Sequence, residues 1–214
     1  MIEEPLAAAI GADLPVAESV GSLVVDVGGG TSEMAVTALG GMVVSHAIRV
    51  GGYDLDEAVV ALLQQSQRLL IGQEQAETLK VEIGAAIAGT DVPPTAEVAG
   101  RDLSSGLLRR GLVSAEQVQG ALQRPLAQIV DGVKLVLERT PPELAADIAE
   151  RGLTLVGGGA LLRGFDQLLR RETGLEVTVA AEPLTTVARG AGRALEQRER
   201  FARSAPSRRQ RRTS

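Results

Sequence analysis

The 214-residue chain contains no cysteine, which excludes disulfide bonds and thiolate metal sites and suits a reducing cytoplasm. Tryptophan is also absent, and one Tyr and two Phe are too few to build the aromatic platforms that bind single-stranded nucleic acid. The single histidine, His46, cannot form a histidine-rich metal cluster. Aliphatic residues must therefore fill the core, and nucleic acid is not an expected partner.

Long hydrophobic runs are missing as well. No apolar stretch approaches the roughly 18 residues that a membrane span requires. The first residues, Met-Ile-Glu-Glu-Pro, have neither the basic nor the apolar region of a signal peptide. We therefore expect a cytoplasmic protein.

The formal net charge of −5 hides an asymmetry along the chain. Residues 198–214 contain seven Arg and one Glu, a charge of +6, so residues 1–197 carry −11. An acidic body argues against a nucleic-acid-binding core. We expect the basic tail, 198–214, to be disordered. It would either attract anionic lipid weakly or remain solvated without a partner.

A glycine triplet follows the most apolar stretch of the chain. Residues 23–27 read as a buried strand that includes Asp26, Gly28–Gly30 form a turn, and a second apolar run follows. Glycines let a backbone take positive φ and approach a ligand closely, so the N–H groups of this turn can bind phosphate oxygens, with the Thr31 hydroxyl beside them. Asp26 is placed to hold a hydrated divalent metal. The alternative is a hairpin whose glycines serve only chain reversal.

The same pattern recurs near the carboxyl end of the chain. An apolar strand, 153–156, ends in Gly157–Gly159 and Ala160, and a helix is expected over Leu161–Arg171. A strand, a glycine turn and a helix together create an anion site at a sheet edge. Two such turns can face each other across a cleft, and a nucleotide would fit between them.

The remaining patterns predict the surrounding elements. Glu77 and Lys80 lie on one face of a helix, either as an ordinary surface ion pair or as a functional pair. The predicted elements are a short helix at 6–11, a third meander strand at 42–50, helices at 54–65 and 73–86, a hairpin of 96–99 with 107–113, a helix from the Ser114 cap to Arg139 that Pro141-Pro142 stops, a helical turn at 145–150, a strand at 177–180 and a helix at 183–197.

Six spaced motifs resemble the MreB family of bacterial actin homologues. They are Glu4-Pro5, DVGGGTSE (26–33), AETLKVEIG (76–84), TPPELAADI (140–148), LVGGGALLRG (155–164) and EPLTTVARGAGRAL (182–195). The resemblance implies an α/β, actin-like ATPase fold with a ribonuclease H-like mixed sheet and flanking helices. It implies one lobe over 1–197, the second lobe of that fold, with a small inserted subdomain at about 66–135.

The resemblance also implies ATP and Mg²⁺ as cofactors and assigns site residues. Glu4 would position the attacking water with help from Thr31, and Asp26 would be the metal-side acid, a division of labour that suits phosphoryl transfer. The implied nucleotide contacts are Gly29, Gly30 and Thr31 as a phosphate loop, Glu77 and Lys80 on the ribose and adenine side, and Gly157, Gly158, Gly159 and Ala160 closing over the nucleotide.

The sequence departs from the family pattern in two ways. The lobe that carries the first phosphate loop does not precede Glu4, so we expect a truncated form whose ATP hydrolysis is weak or absent. Tyr53 also stands where the family usually has an acid, which leaves the cap of its helix in doubt.

The function implied is that of a cytoskeletal protein that forms filaments and directs cell-wall synthesis and rod shape. Its partners would be copies of itself and the cell-wall elongation machinery at the inner membrane. Two alternatives remain at this point, a non-hydrolysing actin-fold interaction module and a fragment of a chaperone-type ATPase.

Overall fold

The computed structural model describes residues 2–196, so the predicted basic tail, 198–214, lies outside the described residues. The elements in chain order are α1 (Glu4–Gly11), β1 (Ser22–Val27), β2 (Ser32–Ala38), β3 (Gly41–Ile48), α2 (Gly52–Gln67), β4 (Leu69–Leu70), α3 (Gln73–Ile83), β5 (Thr95–Asp102), β6 (Leu108–Ser114), α4 (Ala115–Arg139), α5 (Pro142–Arg151), β7 (Leu153–Val156), a 3₁₀ turn (Gly158–Leu161), α6 (Phe165–Thr173), β8 (Val177–Val179) and α7 (Thr186–Glu196).

The main sheet has five strands in the order β3-β2-β1-β7-β8. The predicted meander is confirmed, because β1, β2 and β3 pair antiparallel in sequence order. β7 then lies parallel to β1 on its other side, and β8 lies parallel to β7. The sheet is therefore mixed, and the carboxyl ends of β1 and β7 meet at one edge.

Both faces of this sheet are covered by helices, which explains why β1 is apolar at nearly every position. Leu23, Val25 and Val27 belong to the larger core, which includes side chains of α2 and α4. Val24 belongs to a smaller core that includes side chains of α1 and α7. Since side chains alternate along a strand, Asp26 shares the α1 side of the sheet with Val24.

A second sheet, in the order β4-β5-β6, contains the predicted hairpin, whose strands pair antiparallel from Thr95 with Ser114 to Arg101 with Leu108. The two-residue strand β4 had no sequence signal. That the stretch at about 66–135 is a separate subdomain stays a prediction.

Two sequence predictions need correction. Pro141-Pro142 does end α4, but Pro142 is also the first residue of α5, where its missing N–H costs nothing, so the predicted short turn is a ten-residue helix. Within the second glycine triplet the chain enters a 3₁₀ turn that runs to Leu161, and the helix expected from Leu161 begins only at Phe165. Among residues 2–196, no helix has both the length and the apolar character needed to cross a membrane.

Candidate functional site

The parallel pairing of β1 with β7 brings the two glycine turns together. Asp26 stands opposite Val156 in the ladder, so Gly28–Gly30 and Gly157–Gly159 leave adjacent strands at the same sheet edge. A Cβ atom added to Gly157 would overlap Asp26 Oδ1, and one added to Gly159 would overlap the Val27 side chain. The predicted neighbourhood of the two triplets is confirmed, and the second triplet needs glycine for close approach to β1.

The two turns use their glycines differently. Gly157 has a φ of 82°, a conformation that disfavours other residues. Gly28, Gly29 and Gly30 have no positive φ, so the expectation of left-handed backbone in the first turn is wrong. The N–H of Gly28 donates to Thr31 O at 2.9 Å, which closes that turn. The Gly28 N–H is thereby occupied.

The first turn is also joined to the amino end of α2. The N–H groups of Gly52 and Tyr53 donate to the carbonyl oxygens of Gly28 and Gly29 at 2.9 and 2.7 Å. The N–H of Gly51 donates to Asp54 Oδ2 at 2.7 Å, so the helix has a cap even though Tyr53 replaces the expected acid. These bonds hold the amino end of α2 beside the glycine turn.

Three acidic side chains lie near one another at the ends of β1, β2 and α1. Asp26 is buried, and its burial, followed by the nearby charges of Glu4 and Glu33, raises its pKa to about 6. Burial and then Glu4 likewise raise the pKa of the Glu33 carboxyl. The cluster favours a proton or a cation close to Asp26. Glu33 had no sequence signal beyond its place in the DVGGGTSE motif.

The donor set at Asp26 fits Mg²⁺ bound chiefly through water and phosphate. Within residues 2–196, no three His, Cys, Asp or Glu side chains are placed to hold a metal ion. Mg²⁺ commonly takes only one or two carboxylates and fills its remaining positions with water and substrate phosphates. Asp26 can serve as that carboxylate, which leaves its predicted metal role open to test.

A cleft of about 550 Å³ opens beside the two glycine turns. The predicted site residues that line it are Gly29, Glu77, Lys80, Gly158 and Gly159. The others do not line it. Gly30, Thr31 and Glu4 are exposed elsewhere, whereas Asp26, Gly157 and Ala160 are buried.

Lys80 has a different partner from the one its sequence position suggested. Its Nζ lies 2.7 Å from Asp56 Oδ1 and donates to Gly52 O at 3.2 Å. Burial raises the pKa of Asp56, and the bond and charge of Lys80 oppose that shift. Sequence reasoning missed Asp56, although an acid spaced with Val59 and Leu63 on the buried face of α2 is a signal for a buried ion pair.

Comparisons with known proteins agree along nearly the whole chain. A family model described as MreB/Mbl protein matches residues 1–203. The cell shape-determining protein MreB of Escherichia coli K12 is 53% identical over 196 residues, which are 92% of this chain and 56% of that relative. This chain therefore spans little more than half of the length of that curated relative.

Solved structures give the same result. The crystal structure of MreB5 of Spiroplasma citri bound to AMPPNP matches with a TM-score of 0.89 at 33% identity, covering 94% of this chain and 60% of the other. The ADP-bound MreB5 structure matches with a TM-score of 0.88 at 32% identity, covering 95% and 62%. The predicted α/β, actin-like ATPase fold is confirmed. By sequence and by structure, the chain belongs to the MreB/Mbl family.

Proposed function

We propose that this chain binds ATP with Mg²⁺ in the cleft beside its two glycine turns. The observation that carries the proposal is the meeting of Gly28–Gly30 and Gly157–Gly159 on adjacent parallel strands, with Asp26 Oδ1 against Gly157. Backbone N–H groups of such turns suit phosphate oxygens, and a carboxylate beside them suits the metal that neutralises phosphate charge. When bound, Mg²⁺ would supply charge neutralisation.

The roles within the site follow from position and chemistry. Gly29, Gly30 and Thr31 would contact phosphates from the β1 side, and Gly157–Ala160 from the β7 side. Of these residues, Gly29, Gly158 and Gly159 line the cleft itself. Glu77 and Lys80 would face the ribose and the base, although Lys80 also holds Asp56. Glu4 would orient a water toward the phosphates, because it lies in the first turn of α1 close to Asp26.

The relatives support nucleotide as the ligand class, since MreB5 of Spiroplasma citri has been crystallised with AMPPNP and with ADP. At the level of the cell, we infer that the chain is part of a cytoplasmic cell shape-determining protein. It would assemble with copies of itself into filaments and guide the cell-wall elongation machinery at the inner membrane. Family membership supports these roles.

Calorimetric titration of the 214-residue chain with ADP and Mg²⁺ tests the nucleotide proposal. We expect weak, saturable binding that Gly158→Asp reduces at least tenfold, because a carboxylate in the cleft repels phosphate. Gly158 is exposed in the cleft, and a Cβ there would meet Leu184 Cδ2 at 3.3 Å, a contact that a small shift relieves.

The matched control is Gly120→Asp on α4, where a Cβ atom meets nothing within 4 Å. It should bind ADP as the unsubstituted chain does. Absence of ADP binding by a folded chain, or equal affinity of the Gly158→Asp variant, would contradict the proposal.

A further inference from the structure

Tyr53 lies at the mouth of the cleft, and its backbone is held there by the glycine turn itself. It is the second residue of α2, and its N–H donates to Gly29 O at 2.7 Å. The preceding bond, from Gly52 N–H to Gly28 O, doubles the attachment. The position of this residue is therefore fixed relative to the N–H groups expected to bind phosphate.

The ring of Tyr53 packs along the backbone of the first glycine turn. A Cβ atom added to Gly29 would lie 3.1 Å from the ring atoms Cε2 and Cζ and 3.3 Å from the hydroxyl oxygen. At Gly30 the nearest ring atom would be 3.8 Å away. Gly29 thus makes room for the ring, and the phenol hydroxyl lies beside the same residue.

Despite this contact, Tyr53 remains 58% exposed and lines the cleft. Two further exposed side chains line the cleft, Leu161 of the 3₁₀ turn and Leu184, which lies beside Gly158. Exposed apolar side chains that gather around a cavity are typical of a ligand site. A tyrosine adds a hydroxyl that can donate a hydrogen bond at the end of an apolar ring.

We propose that Tyr53 is a ligand-contacting residue, whose ring packs against the nucleotide and whose hydroxyl donates to a ligand oxygen beside Gly29. The inference rests on the proposed nucleotide function and adds a specific contact to it. The oxygen is either a phosphate oxygen or a sugar hydroxyl, since both accept from a phenol. An acid at this position, as the family usually has, would provide neither the ring packing nor a hydroxyl donor.

The composition of the chain supplies a direct probe. Tyr53 is the only tyrosine, so a chain labelled with ¹³C-tyrosine gives one set of ring signals in an NMR spectrum, and these need no assignment. The full chain is titrated with ADP and Mg²⁺, with tripolyphosphate and with adenosine. We expect saturable shifts of the ring signals with ADP, together with shifts from tripolyphosphate if the oxygen is a phosphate oxygen and from adenosine if it belongs to the sugar.

Substitutions separate the ring from the hydroxyl. In calorimetry, Tyr53→Phe should weaken ADP binding roughly two- to tenfold through loss of one hydrogen bond. Tyr53→Ala should weaken it further, because the ring contact is lost as well. Leu108→Ala, at a residue 91% exposed on β6, is the surface control and should leave the affinity unchanged.

The outcomes distinguish this inference from the function on which it rests. If ADP binds with ring signals unmoved and with Tyr53→Ala unimpaired, the inference is overturned while the nucleotide site stands. If calorimetry detects no ADP binding by the folded chain, both are overturned. Equal affinities for the Tyr53→Phe variant and the unsubstituted chain would overturn the hydroxyl contact.

Discussion

Asp26 is buried, and the negative charges of its neighbours disfavour its ionised form. It is the second-last residue of β1, a strand covered on both faces, and the charges of Glu4 and Glu33 add repulsion to the cost of burial. A folded-state pKa raised from 3.8 to about 6 means that folding favours the protonated acid. The associated stability is fully present below pH 4 and is lost as the pH rises through about 6.

Asp26→Asn should therefore raise the free energy of unfolding at pH 7.5, by up to about 3 kcal/mol, because it removes a buried charge. The gain should disappear near pH 4, where Asp26 is protonated in the folded chain. Urea denaturation at the two pH values measures the difference, with Asp131→Asn on the exposed side of α4 as the control. A loss of stability at pH 7.5, or an equal gain at both pH values, would contradict this electrostatic account.

The ion pair of Lys80 with Asp56 should be structural as well as ligand-facing. The two side chains are 14% and 2% exposed, so Lys80→Met leaves a buried carboxylate without its cation. We expect a loss of about 3 kcal/mol in the free energy of unfolding, largely restored in the double variant with Asp56→Leu.

Lys134→Met is the matched control for this prediction. Lys134 pairs with Glu172 at 2.9 Å, but the two side chains are 45% and 33% exposed. Its removal should cost less than about 1 kcal/mol. Equal losses for the Lys80 and Lys134 variants, both measured by urea denaturation, would show that burial does not set the strength of the inner pair.

At the scale of elements, α1 and α7 cross closely because Gly11 and Gly190 have no side chains at their contact. A Cβ atom on Gly190 would overlap Ala7 O, and one on Gly11 would overlap Thr186 O. Arg189 and Arg193 of α7 donate to the carbonyl oxygens of Gly11 and Ile10, which satisfies the end of α1. Since α1 carries Glu4, this crossing positions Glu4 beside Asp26.

Gly190→Ala should lower the free energy of unfolding by about 1–3 kcal/mol, because the new methyl group separates the two helices. Gly192 lies two residues further along α7 and meets nothing within 4 Å, so Gly192→Ala should stabilise the chain by about 0.5–1 kcal/mol through helix propensity. Thermal and urea unfolding measure both effects. A Gly190→Ala variant as stable as the unsubstituted chain would refute the close crossing.

Local patterns predicted the elements whose ends carry strong signals. The Ser114 cap begins α4, and apolar runs that end in glycine give β1 and β7. Prediction failed where one residue has two roles, as Pro142 does. It also failed after Gly157. There, close packing of the glycine turn against β1 determines the backbone conformation, rather than any property of the turn's own residues. Such packing is a tertiary effect that a local pattern does not contain.

At the scale of the molecule, the sequence indicated that the two glycine turns can face each other, because each follows a buried strand at the carboxyl edge of a sheet. It named Glu77 and Lys80, which do line the cleft, but not Tyr53 or Asp56. Tyr53 comes from a helix amino end bonded to the first turn, and Asp56 was not expected to be the partner of Lys80. These contacts join residues more than 20 positions apart, and their choice depends on packing between elements.

The arrangement of the whole cleft predicts how fast these 214 residues can hydrolyse ATP. Rapid hydrolysis requires that phosphates be held from several directions and that water be aligned, and each lost electrostatic contact costs about 2.7–4 kcal/mol in the barrier. In the described part of the chain, the predicted phosphate contacts all come from one edge of one sheet. Glu4 is exposed in the first turn of α1, where solvent rather than protein surrounds its carboxylate.

We therefore expect ATP turnover near background for this chain alone, even where nucleotide binding is measurable. Phosphate release in the presence of Mg²⁺ is the measurement, and Glu4→Ala and Asp26→Ala should leave the low rate almost unchanged. Rapid turnover that both substitutions abolish would mean that one sheet edge, with Glu4 and Asp26, is sufficient to stabilise the transition state. In that case the glycine turns and their two acids would form a complete catalytic site rather than one side of it.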